Sequence, residues 1–230
     1  MKHGCLLASA CLLFSHTTVA AEASGYLVLT SDYVFRGVSY SDGDPAVQLG
    51  GELALENGLY AGVWASTTDI SNGPGRQRDR ELIYYVGVDR EIGNHWSLGA
   101  NLVAYTYPGQ SGGFDYDYEE ISLAVNYRDR AWLEFSYSPD LYHSGRAARN
   151  IDLFTEWPLP KQFVMGAGIG HYDPSDLTGA AYTYWQIGIT RPLGIVDVDL
   201  RFHDTSAAVP IVSTPYRADA RIALSLRLAF

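Results

Sequence analysis

Outside the N-terminal leader, the residues best suited to acid–base chemistry are four histidines, His95, His143, His171 and His203. A hydrolase would also need a nucleophile within hydrogen-bond reach of one imidazole and a third group to orient it. His143-Ser144-Gly145 brings histidine and serine together, but in a stretch that reads as a loop with no rigid element to hold them. His171 and His203 fall near strand ends, with Ser206 just beyond the second. No strand-to-helix elbow presents a serine. Carboxylates cluster at Asp42-Gly43-Asp44 and at Asp173-Pro174-Ser175-Asp176, where calcium could visit, yet Asp, Gly and Pro are also what turns are made of. These residues are therefore read as rim, lumen or turn positions. No catalytic, metal or cofactor site is assigned.

The elements that would position them are strands. Ile222, Leu224, Leu226, Leu228 and Phe230 alternate with Arg221, Ala223, Ser225, Arg227 and Ala229 to the last residue. A strand sends successive side chains to opposite faces, so one face is large and apolar, the other small or cationic. An ordinary half-buried strand of an antiparallel sheet shows the same alternation, so the rest of the chain must decide.

The N-terminus is a different object. Lys2 and His3 precede an apolar stretch from Leu6 to Phe14, and small residues then lead to Ala20, Ala21 and Ala23. This reads as a secretory signal peptide over residues 1–23, leaving 24–230 as one domain. Both cysteines, Cys5 and Cys11, lie within it. Cys11 follows Ala8-Ser9-Ala10, but the apolar core runs on past it, which argues against a lipidation site. The net charge of −10 argues against a nucleic-acid binder, which needs a basic footprint. No apolar run reaches the ~20 residues of a membrane helix. Seventeen tyrosines and 23 glycines suit a β-rich chain with aromatic girdles.

Twelve alternating segments follow the leader, at about 25–36, 45–56, 59–68, 80–90, 96–107, 117–127, 131–138, 148–157, 162–172, 182–191, 195–203 and 217–230. The clearest hairpin sets Val47, Leu49, Leu53 and Leu55 against Gln48, Glu52 and Glu56, then turns at Asn57-Gly58, a pair that tolerates φ > 0. Connections alternate short and long along the whole chain. Asn57-Gly58, 91–95, 128–130, 158–161 and 192–194 are short; 37–44, 69–79, 108–116, 139–147, 173–181 and 204–216 are long and polar. A soluble sandwich has no reason to keep that rhythm, whereas a bacterial membrane barrel has short periplasmic turns and long outer loops. An even strand count then puts both termini on the periplasmic side. Trp96, Tyr127, Trp157, Phe163 and Phe230 would form one aromatic girdle, and Tyr33, Phe35, Tyr137, Trp185 and Phe202 the other.

Ser31-Asp32-Tyr33-Val34-Phe35-Arg36-Gly37-Val38-Ser39 resembles the opening motif of the TorF-family porins. The likeness continues through Pro45-Ala46, Gly50-Gly51, Gly58, Tyr60, Gly62, Trp64 and Ser66, and returns in Tyr105-Thr106-Tyr107-Pro108-Gly109 and Tyr118-Glu119-Glu120. It implies an outer-membrane barrel and a pore, and brings no substrate or site residues.

The sequence thus predicts an all-β, up-and-down transmembrane barrel of 12 strands in a Gram-negative outer membrane. It would act as a narrow pore for small polar solutes or ions. A lipid hydrolase would instead need an inward or rim Ser–His pair, and a closed structural barrel a filled lumen. Every second residue opposite the apolar faces would line the pore. This selects the acids Asp32, Glu52, Glu56, Glu81, Asp89, Glu120, Glu134, Asp152, Glu156, Asp197 and Asp199, against the bases Arg36, Arg201, Arg221 and Arg227. Such an excess predicts cation preference. Trp64, on the same polar face, would fill space, narrow the pore or stack on a ligand. Expected partners are outer-membrane lipids, the barrel assembly machinery, which would read Phe230, and the permeating solutes. The oligomeric state stays open.

Overall fold

The computed structural model describes residues 21–69, 79–108, 115–206 and 215–230. Twelve strands form one closed antiparallel barrel, each beside its neighbours in sequence and the last beside the first. They are β1 Ala21–Thr30, β2 Ala46–Leu55, β3 Leu59–Thr68, β4 Asp79–Ile92, β5 Trp96–Thr106 and β6 Tyr118–Tyr127. The second half contains β7 Ala131–Ser138, β8 Ala148–Pro158, β9 Val164–Asp173, β10 Tyr182–Leu193, β11 Val196–Thr205 and β12 Arg221–Ala229. Of the expected leader, residues 1–20 lie outside the described residues, and Ala21–Ala23 open β1, pairing with Leu55–Leu53.

Side-chain alternation explains the two surfaces. Leu102, Leu123 and Ile222 are 58%, 57% and 64% exposed on the outer wall, with Leu49, Val63, Leu153 and Ile187 similarly bare. Water would oppose so wide an apolar belt; a hydrocarbon surround favours it. Inward neighbours such as Gln48, Glu52, Ser122 and Asn150 are buried. The turns follow local chemistry. Gly58 takes φ +82° and the Asn57 side chain accepts from the Leu59 N–H, while Arg128 and Asp129 both adopt positive φ in the turn between β6 and β7.

Closure is carried by β1 and β12, which pair from Tyr26↔Ala229 to Thr30↔Ser225. Phe230 extends the seam: its N–H donates to the Gly25 carbonyl at 2.9 Å and its own carbonyl accepts from Gly25 at 2.8 Å. Its ring lies over Gly25, where a Cβ would stand 2.6 Å from it. With every ladder of the barrel paired, the described wall has no open strand edge.

One segment departs from the expected pattern. The alternation over 25–36 predicts a single wall strand, but β1 ends at Thr30 and the chain turns inward. Val34–Phe35 and Val38–Ser39 form a small hairpin inside the barrel, turned by Arg36 and Gly37 at φ 47° and +79°. Tyr33 and Phe35, expected in an aromatic girdle, are buried within the lumen instead. Tyr33 packs edge-on against Tyr40 and Trp64, and Phe35 against Tyr40. The tyrosine count misleads similarly. Tyr60, Tyr105, Tyr118, Tyr172, Tyr182 and Tyr184 face inward and are buried, so much of this aromatic content fills the barrel. The girdle at the short-turn end does contain exposed Trp96, Tyr127, Trp157 and Phe230, with Phe163 half-buried.

Candidate functional site

The inward hairpin crosses the lumen from β1 to the opposite wall. Its tip residue Arg36 donates through both terminal nitrogens to the two Glu120 oxygens on β6, each at 2.8 Å, with both side chains almost wholly buried. The guanidinium also lies over the Phe35 and Tyr172 rings at 4.8 and 4.9 Å. A fork-to-fork pair fixes direction as well as distance. At the hairpin's root, Asp32 accepts from Arg221 at 2.8 Å and from the Ser39 and Ser41 hydroxyls. Tyr33 donates to Glu81 on β4. Asp42 faces Arg217, from the connection before β12, at 3.3 Å. The β7–β8 connection adds a lid, its short helical turn Leu141–His143 burying Leu141 and Tyr142, the latter edge-on to Tyr118.

The predicted lumen residues divide by partner. Asp199 accepts from the Arg201 side chain at 3.0 Å, and Asp197 stands opposite Arg227 in the ladder. Arg227 lies over the Tyr26 ring at 4.4 Å. Other carboxylates are answered by tyrosine hydroxyls. Tyr85 donates to Glu52, Tyr184 to Asp152, and Tyr33 and Tyr107 each to Glu81 at 2.8 Å. Burial, and then the Glu81 charge, hold the Tyr33 and Tyr107 phenols well above their usual range, so both remain neutral donors. Glu134 faces inward and accepts from Ser136. Asp89 and Glu156 also face inward, half-buried, whereas Glu56 is exposed at the Asn57-Gly58 turn and leaves the lining. Trp64 is buried against Tyr33. Asp32 and Arg36 stand on the inward hairpin rather than on the wall.

The sequence reading missed these phenol–carboxylate pairs and the glycines that accommodate them. Tyr26, Tyr85, Tyr60 and Tyr184 stand directly opposite Gly50, Gly62, Gly87 and Gly170 in the ladders. Each ring lies over its glycine, where a Cβ would collide with it. The rings therefore lie along the wall instead of projecting to the axis. An inward tyrosine in register with an inward glycine was the available signal, once strand pairing is known.

Two spaces lie beside the hairpin among the described residues. One, of about 110 Å³, runs from Arg36 and Gly37 at the hairpin tip to Val164, Pro192 and Asp197 near the short turns. Its wall includes Tyr26, Gln48, Glu156, Asp199, Arg201 and Arg227. The other, of about 50 Å³, lies beneath Tyr33 and Phe35 among Trp64, Tyr85, Asn101 and Glu134.

The histidines are dispersed. His95 contacts Arg128 at 2.9 Å, His171 contacts Thr183 on the outer wall, His143 is exposed near Asp115 and Asp140, and His203 faces the larger space. Among the described residues, no histidine shares a hydrogen bond with a serine. Gly109-Gln110-Ser111-Gly112-Gly113 spells G-x-S-x-G, but all of it lies outside the described residues. The Asp173 side chain caps its own turn by accepting from the Ser175 N–H, and among the described residues no three His, Cys, Asp or Glu side chains converge as metal ligands.

The closed twelve-stranded antiparallel barrel matches the fold of outer-membrane porin structures. A profile for the family described as "Bacterial protein of unknown function (Gcw_chp)" matches residues 15–226, and the chain belongs to that family. The fold is similar to the KdgM porin, with a TM-score of 0.58 over 90% of this chain and 99% of that one at 7% identity. The KdgM porin in complex with disordered oligogalacturonate superposes with a TM-score of 0.54 at 6% identity, over 91% and 99% of the two chains. The OmpF complex with daunomycin from Salmonella typhi gives 0.51 at 9% identity, over 91% and 97%. None of the curated proteins matches the chain in sequence.

Proposed function

We propose that this protein is a narrow channel of the bacterial outer membrane for small polar solutes or ions, with cations preferred. The observation that carries this reading is a carboxylate-rich lumen narrowed by a charge-anchored hairpin. The likeness to porin folds and the TorF-like wording of residues 31–39 support it. Both termini would be periplasmic, with the long connections outside the cell.

Arg36, Arg201 and Arg221 each have a carboxylate partner, which removes them as free sources of positive field. Glu52, Glu81 and Asp152 take neutral phenol donors, so those hydrogen bonds add no compensating charge. At an effective dielectric of ~20, two unit charges ~4 Å apart interact by about 4 kcal/mol, so this excess favours a counter-cation. A KCl gradient across a planar bilayer containing the refolded barrel should give a reversal potential of K⁺ selectivity. Glu52→Gln with Glu134→Gln should weaken it. Anion preference would remove the electrostatic basis of the reading. The packed hairpin and Tyr142 favour a second reading, a closed structural barrel, and complete absence of conductance would return the weight to it.

A further inference from the structure

The larger lumen space has one wall that the ion pairs above do not account for. Arg201 on β11 stands opposite Gly188 on β10, which stands opposite Gly166 on β9, which stands opposite Glu156 on β8. The arginine lies flat across the two glycines. A Cβ on Gly188 would be 2.9 Å from its Cζ, and one on Gly166 would be 3.1 and 3.2 Å from Nη2 and Nη1. The Phe154 ring covers it at 5.5 Å. Since neighbouring strands are about 4.8 Å apart, the guanidinium ends roughly one strand short of Glu156.

Both ends of this row have unmet chemistry. Arg201 Nε and Nη2 donate to Asp199 at 3.2 and 3.0 Å, but Nη1 donates to nothing among the described residues although the residue is only 2% exposed. A buried charged donor left without an acceptor is unfavourable and therefore a place for one. The Glu156 carboxylate accepts no side-chain hydrogen bond among the described residues, and both groups face the 110 Å³ space. A guanidinium N–H donor and a carboxyl acceptor are thus offered together, about one strand apart, over a floor of glycine.

We infer that this row is a binding site for a small amino-acid-like zwitterion. The solute's carboxylate takes the free Arg201 Nη1–H, and its ammonium takes Glu156. A zwitterion has no net charge, so the general acidic field of the lumen neither draws it in nor repels it; selection falls to the paired groups. A space of about 110 Å³ suits a small amino acid better than a large one. Transport of this solute rests on the channel reading above, but its binding does not.

Glycine and its neutral isomer glycolamide separate the two ideas. In saturation-transfer NMR on the refolded barrel, glycine should give a saturable signal and glycolamide none. In swelling of barrel-containing liposomes, glycine should enter several-fold faster than glycolamide, and Glu156→Gln should bring that ratio to about one. Arg201→Gln should do the same; should it fail to fold, as heat-modifiability would reveal, Glu156→Gln still decides. A barrel that conducts KCl but neither binds glycine nor prefers it overturns the site and leaves the channel. Glycine binding without any conductance overturns the channel and keeps the site. An unchanged glycine preference in folded Glu156→Gln overturns the assignment.

Discussion

Replacing Arg36 with Met should release the hairpin from the lumen. The Arg36–Glu120 pair is bidentate at 2.8 Å, with side chains 7% and 2% exposed, so neither charge has water as an alternative partner. Removing one member of such a pair leaves the other buried and uncompensated, at a cost of about 3–5 kcal/mol. At about 1.4 kcal/mol per tenfold, the balance between packed and displaced hairpin shifts by roughly two to three and a half decades. The Asp32–Arg221 and Tyr33–Glu81 contacts remain, so the root stays attached while the tip swings. Single-channel recordings should show larger and noisier conductance for Arg36→Met and for Glu120→Met. The double variant Arg36→Met with Glu120→Met removes both charges of the pair, orphaning neither, and should recover most of the wild-type trace, because matched apolar partners are far less costly than an orphaned ion. Identical traces for the wild type and both single variants would refute the latch. A double variant as disturbed as the single ones would assign the effect to packing, not to charge.

Deleting Phe230, or changing Leu226 to Asp, should sharply lower the heat-modifiable barrel recovered in outer-membrane fractions, since both lie on the closing seam; wild-type levels would argue against a membrane barrel. Cysteine at Ser144 should react with a membrane-impermeant maleimide on intact cells, whereas cysteine at Asn94 or Asp129 should not; the reverse pattern would invert the topology. Leu123→Arg, on the outer wall, should destabilise the barrel in lipid by about 2–4 kcal/mol in a urea titration, and an unchanged midpoint would mean this face does not meet hydrocarbon. Gly170→Ala should cost about 1–3 kcal/mol in the same assay, because its new methyl would collide with Tyr184 and Asp152.

The side-chain period of a strand is a local property, and it allowed Glu52, Glu81, Glu120, Glu134, Asp152, Asp199 and Arg201 to be assigned to the inner face from sequence alone. Turn chemistry is equally local, so Asn57-Gly58 and the rhythm of short and long connections led directly to twelve strands. Residues 31–39 mark where that reasoning stops. Tyr33, Phe35 and their neighbours alternate as a wall strand would, and nothing within the segment tells which ladder it will join. The seam with β12 ends near Ser31 and Leu224, and beyond it the buried partners Trp64, Glu81 and Glu120 stand two, three and five strands away around the barrel. Only closure brings them within reach. Asp32 meets Arg221 across 189 positions of chain, and each tyrosine finds its glycine only once the register between strands is set. The sequence alone therefore carried the inward placement of these wall residues. The tertiary structure decided what fills the lumen, because contacts across a closed barrel depend on the positions of strands far apart in the chain.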